Sequence, residues 1–218
     1  QKLSESLGQV VVVDNRAGAG GIIGQELGAN AAPNGYTLTL ATSGTMSITP
    51  FVVAKPGYDP QKSYELVTLF AVIPYMMVAH PSVPAKDVRE FIAYAKAKPD
   101  SINMASTGNG SINHLAGELF NLLAGTRMVH VPYKGGGPAV ADLIAGHVHV
   151  YFTSVASMMP FIKTGKLRAL GVGTLKRAGE LPDVATLDEQ GLKGFDTDGL
   201  VDQAKDKAPC IIFIDELD

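Results

Sequence analysis

Residues 103–120 read NMASTGNGSINHLAGELF, residues 129–140 read VHVPYKGGGPAV, and these two stretches decide the fold. In each, a strand-like run ends in a loop of glycine, hydroxyl or other polar residues that opens a helix. Small residues in such a loop let backbone N–H groups converge at the positive end of the helix. The pattern predicts an anion cradle, although a plain Ser-capped turn explains a single loop of this kind equally well.

Similar loops occur twice more, earlier in the chain. One spans residues 16–21 after the apolar run 10–13, and the other spans residues 42–45 after the run 36–40. Ligands of open α/β sheets bind outside the carboxyl ends of the strands. Four such loops in one chain therefore predict a site for something small and negatively charged.

Composition indicates a globular α/β protein of one or two domains. The chain has 218 residues, with 24 Gly, 13 Pro, 46% hydrophobic and 18% charged residues, and a formal net charge of -3. It has no basic stripe, which argues against nucleic acid as a partner, and no apolar run of the roughly 20 residues that a membrane span needs. The single cysteine, Cys210, excludes an internal disulfide.

Alternating strand and helix patterns predict a mostly parallel sheet with helices on its faces. In the first part of the chain we expect an opening helix closed by Gly8 and strands at 10–13 and 36–41 with a helix at 22–32 between them. The apolar runs 66–73 and 74–80 have no helix between them. They suit a strand that passes from one domain to another.

The same alternation continues through a second domain. Predicted strands lie at 102–105, 128–131, 149–152 and 165–172, and predicted helices at 87–97, 112–123 and 138–145, with a further helix through Met158 and Met159. Pro138 is expected at the first helical position. The predicted domains are 1–77, 78–194, and a return segment with an atypical tail at 195–218.

A nucleotide cofactor is not predicted, despite the glycines at Gly18, Gly20 and Gly24. The dinucleotide fingerprint requires glycine where Ile23 stands. The next strand also ends at Thr42 without the acidic residue that would hold a ribose. Neither feature of that motif is therefore complete.

Histidines and serines give no pattern for a metal site or for catalysis. Of His80, His114, His130, His147 and His149, only the last two are close in sequence, and no carboxylate or cysteine lies at ligand spacing. His114 is the one histidine expected to face a cleft. Gly-x-Ser-x-Gly is absent, so we do not expect an enzyme. Tyr133 and Lys134 precede three glycines and suit an anion.

The loops and several other motifs resemble the extracytoplasmic solute receptors of tripartite tricarboxylate transporters. They occur in the family's order at residues 15–21, 33–38, 106–120, 130–135, 165–170 and 181–184. The resemblance covers about residues 1–200. It implies an α/β, two-domain periplasmic-binding-protein-like (type II) fold that closes on a small organic carboxylate in the periplasm for membrane transporter subunits. The family's opening strand and helix would precede Gln1, so we expect an incomplete first domain.

Together, the loops and the resemblance predict a ligand site made of backbone N–H groups and hydroxyls, with no cofactor and no metal. The predicted ligand-binding residues are Thr42, Ser43, Gly44, Ser106, Thr107, Gly108, Gly110, Ser111, His114, Tyr133, Lys134, Thr153 and Ser154. The family often has Asp where this chain has Thr153. Since Thr cannot pair with a ligand amine as Asp does, we expect di- or tricarboxylates, or an aromatic acid, over amino acids.

The tail, residues 201–218, resembles a different family, the Walker B region of AAA+ proteases. In that region Asp215 would bind magnesium and Glu216 would activate water, but no phosphate loop occurs anywhere in the chain. We expect residues 211–214 to lie against the sheet of the first domain. The alternatives to a receptor are a fragment of an AAA+ ATPase or an enzyme that reuses the receptor fold, and turnover of ATP or of a carboxylate would distinguish them.

Overall fold

A five-stranded mixed sheet forms the centre of the computed structural model, which describes residues 1–69 and 71–199. Its strands are β1 (Tyr75–Ala79), β2 (Asn103–Ser106), β3 (Val129–Pro132), β4 (Val150–Ser154) and β5 (Arg168–Val172). Their spatial order is β3-β2-β4-β1-β5. β2 is parallel to β3 and β4, whereas β1 is antiparallel to β4 and β5. Four strands therefore run one way, as predicted, and β1 runs against them.

Four helices follow the strands in the α/β order that the sequence predicts. They are α4 (Val88–Ala97), α5 (Ile112–Ala124), α6 (Gly136–Ala145) and α7 (Val155–Lys163). Successive side chains of β1 point to opposite faces of the sheet, because a strand has a period of two. Met77 packs into a core with Phe91 of α4, whereas Met76 packs into a second core with Leu143 of α6. The sheet is therefore covered on both faces.

Capping residues set the ends of these helices close to the predicted positions. Asp87 caps α4 by accepting a hydrogen bond from the Glu90 N–H at 2.8 Å, and Ser111 caps α5 by accepting from the His114 N–H at 3.3 Å. The prediction for Pro138 was wrong by two positions. Because Gly136 and Gly137 already have helical geometry, α6 begins at Gly136 and Pro138 is its third residue.

The part before β1 contains short helices. These are α1 (Lys2–Leu7), a 3₁₀ turn (Ala19–Gly21), α2 (Ile22–Ala29), a π-helical turn (Gly44–Ile48) and α3 (Thr49–Val52). Gly8 closes α1 at φ 63°, as predicted. α2 ends three residues before the predicted position. Ala41, Met46 and Tyr58 form a small core that Ile22 and Tyr64 cover.

The strands predicted at 10–13, 36–41 and 66–73 are not formed in the described part of the chain. Val10 is 86% exposed and Tyr36 is 92% exposed. A strand requires hydrogen bonds to a neighbouring strand, and no described segment pairs with these runs. The described residues of these apolar segments therefore lie outside the sheet. Residues 201–218, with the predictions for the tail, lie outside the described residues.

The chain enters and leaves the sheet at one place. Gly173, just after β5, donates its N–H to the Tyr75 carbonyl oxygen at 2.7 Å and accepts a hydrogen bond from the Thr197 N–H at 2.8 Å. The two segments that connect the sheet with the rest of the chain are thus joined through one residue. None of the helices in the described residues is long and apolar enough to cross a membrane.

Candidate functional site

A cleft of about 1660 Å³ lies between the first part of the chain and the carboxyl ends of the parallel strands. The first part contributes loops 14–21 and 35–45, and the sheet contributes the residues that follow β2, β3 and β4. Ligand pockets usually measure roughly 300–1,000 Å³, so this cleft has room for a small molecule and ordered water. This is the edge of the sheet at which ligands of open α/β folds bind.

Four helices of eight or more residues begin at this cleft. Gly21 before α2, Ser111 before α5, Gly135 before α6 and Ser154 before α7 all line it. The helix dipole places partial positive charge at each of these ends. α2, α6 and α7 have no side-chain cap among the described residues. The cleft is therefore surrounded by positive helix ends.

The loop before α5 leaves two backbone N–H groups for a ligand. The Gly108 N–H donates to Ser106 Oγ at 3.1 Å and the Gly110 N–H donates to His114 Nδ1 at 3.2 Å. The first N–H groups of a helix have no partner within the helix. Those of Ile112 and Asn113 form no hydrogen bond with any described residue, and both residues line the cleft.

Glycines allow the two walls of the cleft to approach each other. Gly108 has φ 130°, and a Cβ atom at this position would lie 3.0 Å from the Gly20 nitrogen. Across from Ile112, a Cβ atom on Gly44 would lie 3.6 Å from the Ile112 nitrogen. The missing side chain of Gly44 thus leaves space opposite an unused N–H group.

Asn113 fixes the orientation of the α5 wall. Its side chain is 5% exposed, donates to the Phe152 carbonyl oxygen at 2.7 Å, and accepts a hydrogen bond from Thr107 Oγ1 at 2.7 Å. The amide therefore joins the loop after β2 to strand β4. The Thr107 hydroxyl, predicted to bind the ligand, donates its proton to Asn113.

Hydroxyl groups form the wall at the end of β4. Tyr151, Thr153, Ser154 and Ser157 line the cleft, and the hydroxyls of Ser154 and Ser157 are hydrogen-bonded to each other. Burial raises the pKa of Tyr151 to about 12, so its phenol remains a neutral donor at physiological pH. This wall therefore offers hydrogen-bond donors without a net charge.

Among the described residues that line the cleft, only Asp14 and Arg16 carry a full charge. Arg16 Nε lies 2.9 Å from Asp14 Oδ1, and both side chains are more than half exposed. An exposed pair of this kind contributes little and leaves no net charge. Attraction of an anion to the cleft consequently depends on helix dipoles and hydrogen bonds.

The structure brings six of the predicted site residues to the cleft and places the other seven outside its lining. The six are Thr42, Gly44, Thr107, Ser111, Thr153 and Ser154, and the seven are Ser43, Ser106, Gly108, Gly110, His114, Tyr133 and Lys134. The sequence-based prediction missed Ile112, Asn113, Tyr151, Ser157 and the glycines 136 and 137. The signal for these glycines was present, since they follow a predicted strand and directly precede a predicted helix.

Tyr133 and Lys134, predicted at the edge of the anion site, do not line the cleft. The Tyr133 hydroxyl donates to Asp142 Oδ2 at 2.6 Å, and burial together with this carboxylate raises the pKa of Tyr133 to about 12. Lys134 is exposed. The glycines that follow them line the cleft instead.

Ser106 and His130 form a hydrogen bond of 2.5 Å between Oγ and Nε2, which has the spacing of a nucleophile and a base. Ser106, however, is 0% exposed and does not line the cleft. Its Oγ also accepts the Gly108 N–H. The pair therefore holds the loop and is inaccessible to a substrate in the cleft.

We predict that this histidine makes the fold less stable in acid. Burial, with a smaller effect from nearby His114, lowers the pKa of His130 to about 4, from 6.5 in the unfolded chain. The neutral ring's contribution is complete above pH 6.5 and is lost as the pH falls toward 4. Allowing for partial exposure, we expect the free energy of unfolding to drop by about 1 kcal/mol between pH 7 and pH 5. Urea denaturation at both pH values measures this change. If the free energy of unfolding of His130→Gln drops by the same amount, His130 is not the cause of the acid sensitivity.

With this geometry established, comparison with known proteins identifies the family. The family model described as "Tripartite tricarboxylate transporter family receptor" matches residues 1–206. The chain belongs to this family. The match to the receptor family extends beyond residue 200, where the sequence resemblance was expected to end.

Individual relatives agree with this membership. The chain is 39% identical to the "UPF0065 protein in tcbD-tcbE intergenic region" of a Pseudomonas species, over 90% of this chain and 58% of the relative. It is 36% identical to "Protein BugT" of Bordetella pertussis, over 88% of this chain and 60% of the relative. The chain therefore spans less than two thirds of the length of these relatives.

Solved structures of receptors share the fold. "R. palustris Rpa4515 with adipate" superposes with a TM-score of 0.86 at 33% identity, over 89% of this chain and 65% of that chain. "Structure of periplasmic binding protein BugD" gives a TM-score of 0.85 at 36% identity, over 89% and 64% of the two chains. "MatC (Rpa3494) from Rhodopseudomonas palustris with bound malate" gives 0.84 at 29% identity, over 94% and 76%. The fold class is therefore α/β of the type II periplasmic-binding-protein kind, as predicted.

Proposed function

We propose that this protein is a solute-binding receptor that captures a small organic carboxylate in the cleft and delivers it to membrane transporter subunits. The observation that carries the proposal is the convergence of four helix N-termini on one cleft in which no described lining residue carries an unpaired charge. Carboxylates bind well to such ends because both the dipole and free N–H groups favour an anion. A receptor of this family acts in the periplasm.

Family membership and the bound acids of two structural relatives support a carboxylate ligand. Those relatives are described with adipate and with malate, which are both dicarboxylates. No enzymatic activity is proposed, because the Ser106–His130 pair near the cleft is buried and holds a loop. We propose a domain boundary just before β1, near residue 74 rather than at the residue 77 expected from the sequence, because β1 pairs with β4 and β5 from residue 75 onward.

The contact residues that we propose are the two unused N–H groups of α5, the first glycines of α6, and the hydroxyl wall of β4. They are Ile112, Asn113, Gly136, Gly137, Tyr151, Thr153, Ser154 and Ser157, with Thr42 and Gly44 on the facing wall. A carboxylate held by backbone N–H groups needs no counter-ion in the cleft. In this arrangement a lining without net charge would bind an anion.

A thermal-unfolding screen tests the proposed function. The protein is heated with adipate, malate, succinate, citrate, benzoate, aspartate and glutamate in turn. An acid present at 100 times its dissociation constant stabilises the fold by about 2.7 kcal/mol, which corresponds to a rise of about 5–10 °C in Tm. A Tm that none of these acids raises would contradict the proposal.

We predict that Thr153 selects dicarboxylates over amino acids. Thr153 lines the cleft and is 7% exposed. In Thr153→Asp, the new carboxylate would repel a dicarboxylate ligand and attract the amino group of an amino acid. We expect succinate to bind about tenfold more weakly to this variant, and aspartate to bind better than it does to wild type. Calorimetric titration measures both, Thr153→Val serves as the uncharged control, and wild-type protein that prefers aspartate to succinate would refute the role.

A further inference from the structure

Among the described residues that line the cleft, Arg16 is the one that carries a positive charge. Its partner is Asp14, two residues earlier, whose two carboxylate oxygens lie 2.9 and 3.0 Å from Arg16 Nε. The side chains of Arg16 and Asp14 are 57% and 64% exposed. Because water screens an exposed pair of this kind, the pair holds Arg16 only weakly and leaves it available to a ligand.

The two terminal nitrogens of Arg16 have no hydrogen-bond partner among the described residues, since both of its bonds to Asp14 start from Nε. A guanidinium presents a planar fork that matches a carboxylate and can donate two parallel N–H bonds to it. Asp14 occupies the Nε side of this fork, so the edge formed by the terminal nitrogens is open. A ligand carboxylate can therefore bind Arg16 without displacing Asp14.

The backbone of the loop before α2 places Arg16 beside the start of α6. A Cβ atom on Gly135 would lie 3.8 Å from Cβ of Ala17, the residue that follows Arg16. Gly135 directly precedes α6, and the first N–H groups of a helix have no partner within it. A carboxylate at Arg16 consequently lies near the positive end of this helix.

The sheet sets the distance between this end of the cleft and the other. α6 follows β3, whereas α5 follows β2 and the hydroxyl wall stands at the end of β4. Neighbouring strands lie about 4.8 Å apart, so the end of β3 is roughly 5 Å from that of β2 and roughly 10 Å from that of β4. The two carboxylates of a short dicarboxylate are separated by a distance of this order.

We propose that Arg16 binds the second carboxylate of the ligand and so makes the cleft selective for dicarboxylates over monocarboxylates. This inference rests on the proposed function, in which the first carboxylate binds at the start of α5 and the hydroxyl wall of β4. The first carboxylate then uses N–H groups and hydroxyls, and the second uses the open edge of Arg16 at the start of α6. A monocarboxylate fills only the first position and gains nothing from Arg16.

Calorimetric titration at neutral pH with two matched pairs of acids tests the inference. Hexanoate has the carbon chain of adipate and butyrate has that of succinate, each with one carboxylate fewer, so each pair isolates the second carboxylate. Arg16→Gln is the test variant, because it keeps a polar side chain and loses the charge and the fork. Arg127→Gln is the control, because Arg127 forms a similarly exposed pair with Asp100 and does not line the cleft.

We expect Arg16→Gln to bind adipate or succinate about tenfold more weakly than wild type does, the lower end of the range for hydrogen bonds to a charged group. Hexanoate and butyrate should bind to this variant within about twofold of wild type, and Arg127→Gln should bind all four acids as wild type does. An unchanged affinity for the dicarboxylates in Arg16→Gln, or an equal loss for both classes of acid, would overturn the inference and leave the proposed function intact. Wild-type protein that binds none of the acids would contradict the proposed function, and the inference with it.

Asp14→Asn gives a second test with the opposite sign. The substitution removes the negative charge beside the open edge of Arg16, so a ligand carboxylate no longer meets repulsion there. We expect dicarboxylates to bind about twofold to fivefold more tightly, the effect of one exposed charge, while monocarboxylates bind as before. A weaker affinity for dicarboxylates in Asp14→Asn would show that the pair holds the loop and would overturn the role of Arg16.

Discussion

Ile112→Pro is expected to weaken carboxylate binding by about 10- to 100-fold while leaving the fold intact. Ile112 is the first residue of α5, and its N–H has no partner among the described residues. A hydrogen bond from such a group to a carboxylate contributes about 1.5–3 kcal/mol. Proline removes this N–H without breaking any hydrogen bond that the helix makes.

The helix tolerates proline at this position for two reasons. The first helical position favours proline, whose fixed φ suits a helix start. Ser111, the preceding residue, has φ -67° and ψ 156°, the extended geometry that proline demands of its neighbour. Ile112→Ala is the matched control, because it loses the side chain and keeps the N–H. Equal affinities of the two variants, measured by calorimetry, would show that this N–H does not hold the ligand.

Phe120→Ala is expected to lower the free energy of unfolding by about 4 kcal/mol. Phe120 is 0% exposed, and its ring centroid lies 5.7 Å from those of Phe91 and Phe152 and 6.4 Å from that of Phe195. The substitution leaves a cavity where α4, α5 and the sheet meet. A small protein is stable by only about 5–15 kcal/mol, so this loss is a large fraction of the total.

The same helix provides the control for this prediction. Leu122 is 78% exposed, and Leu122→Ala should change the stability by less than about 0.5 kcal/mol. Urea denaturation followed by circular dichroism measures both variants. Similar losses of stability for the two substitutions would mean that the aromatic cluster does not form the core on this face of the sheet.

The sequence predicts the helices well because their signals are local. Asp87 and Ser111 lie at the N-termini of α4 and α5, and Gly8 lies at the end of α1 in the left-handed conformation. Each of these residues acts on the backbone within four positions of itself. The chain thus carries its own information on where these helices begin and end.

Strands depend on partners that a local pattern does not contain. The strand predicted at 149–152 forms as β4, because β1 and β2 pair with it on its two sides. Its ends lie one and two residues after the predicted ones. The runs 10–13 and 36–41 have the same apolar character, and no described segment pairs with them. Apolar composition therefore predicted a strand in both cases, whereas only pairing decides whether one exists.

The candidate site was predicted at the level of loops and not of individual residues. Glycine and hydroxyl residues in the four loops marked segments that line the cleft, although only two of these loops follow strands of the sheet. Within the loops, however, Ser106 and His114 face inward and hold backbone groups, and Tyr133 bonds to Asp142. Such orientations follow from packing in three dimensions. They cannot be read from the order of residues along a loop.

The most direct test of the proposed site is a titration of the protein with adipate or malate, followed by backbone amide NMR. Binding at the helix N-termini predicts that the largest shift changes occur at Ile112, Asn113, Gly136 and Gly137. Each N–H that gains a carboxylate oxygen should move downfield as the acid binds. Shift changes confined to other surfaces, or none up to millimolar acid, would contradict the assignment of this cleft as the carboxylate site.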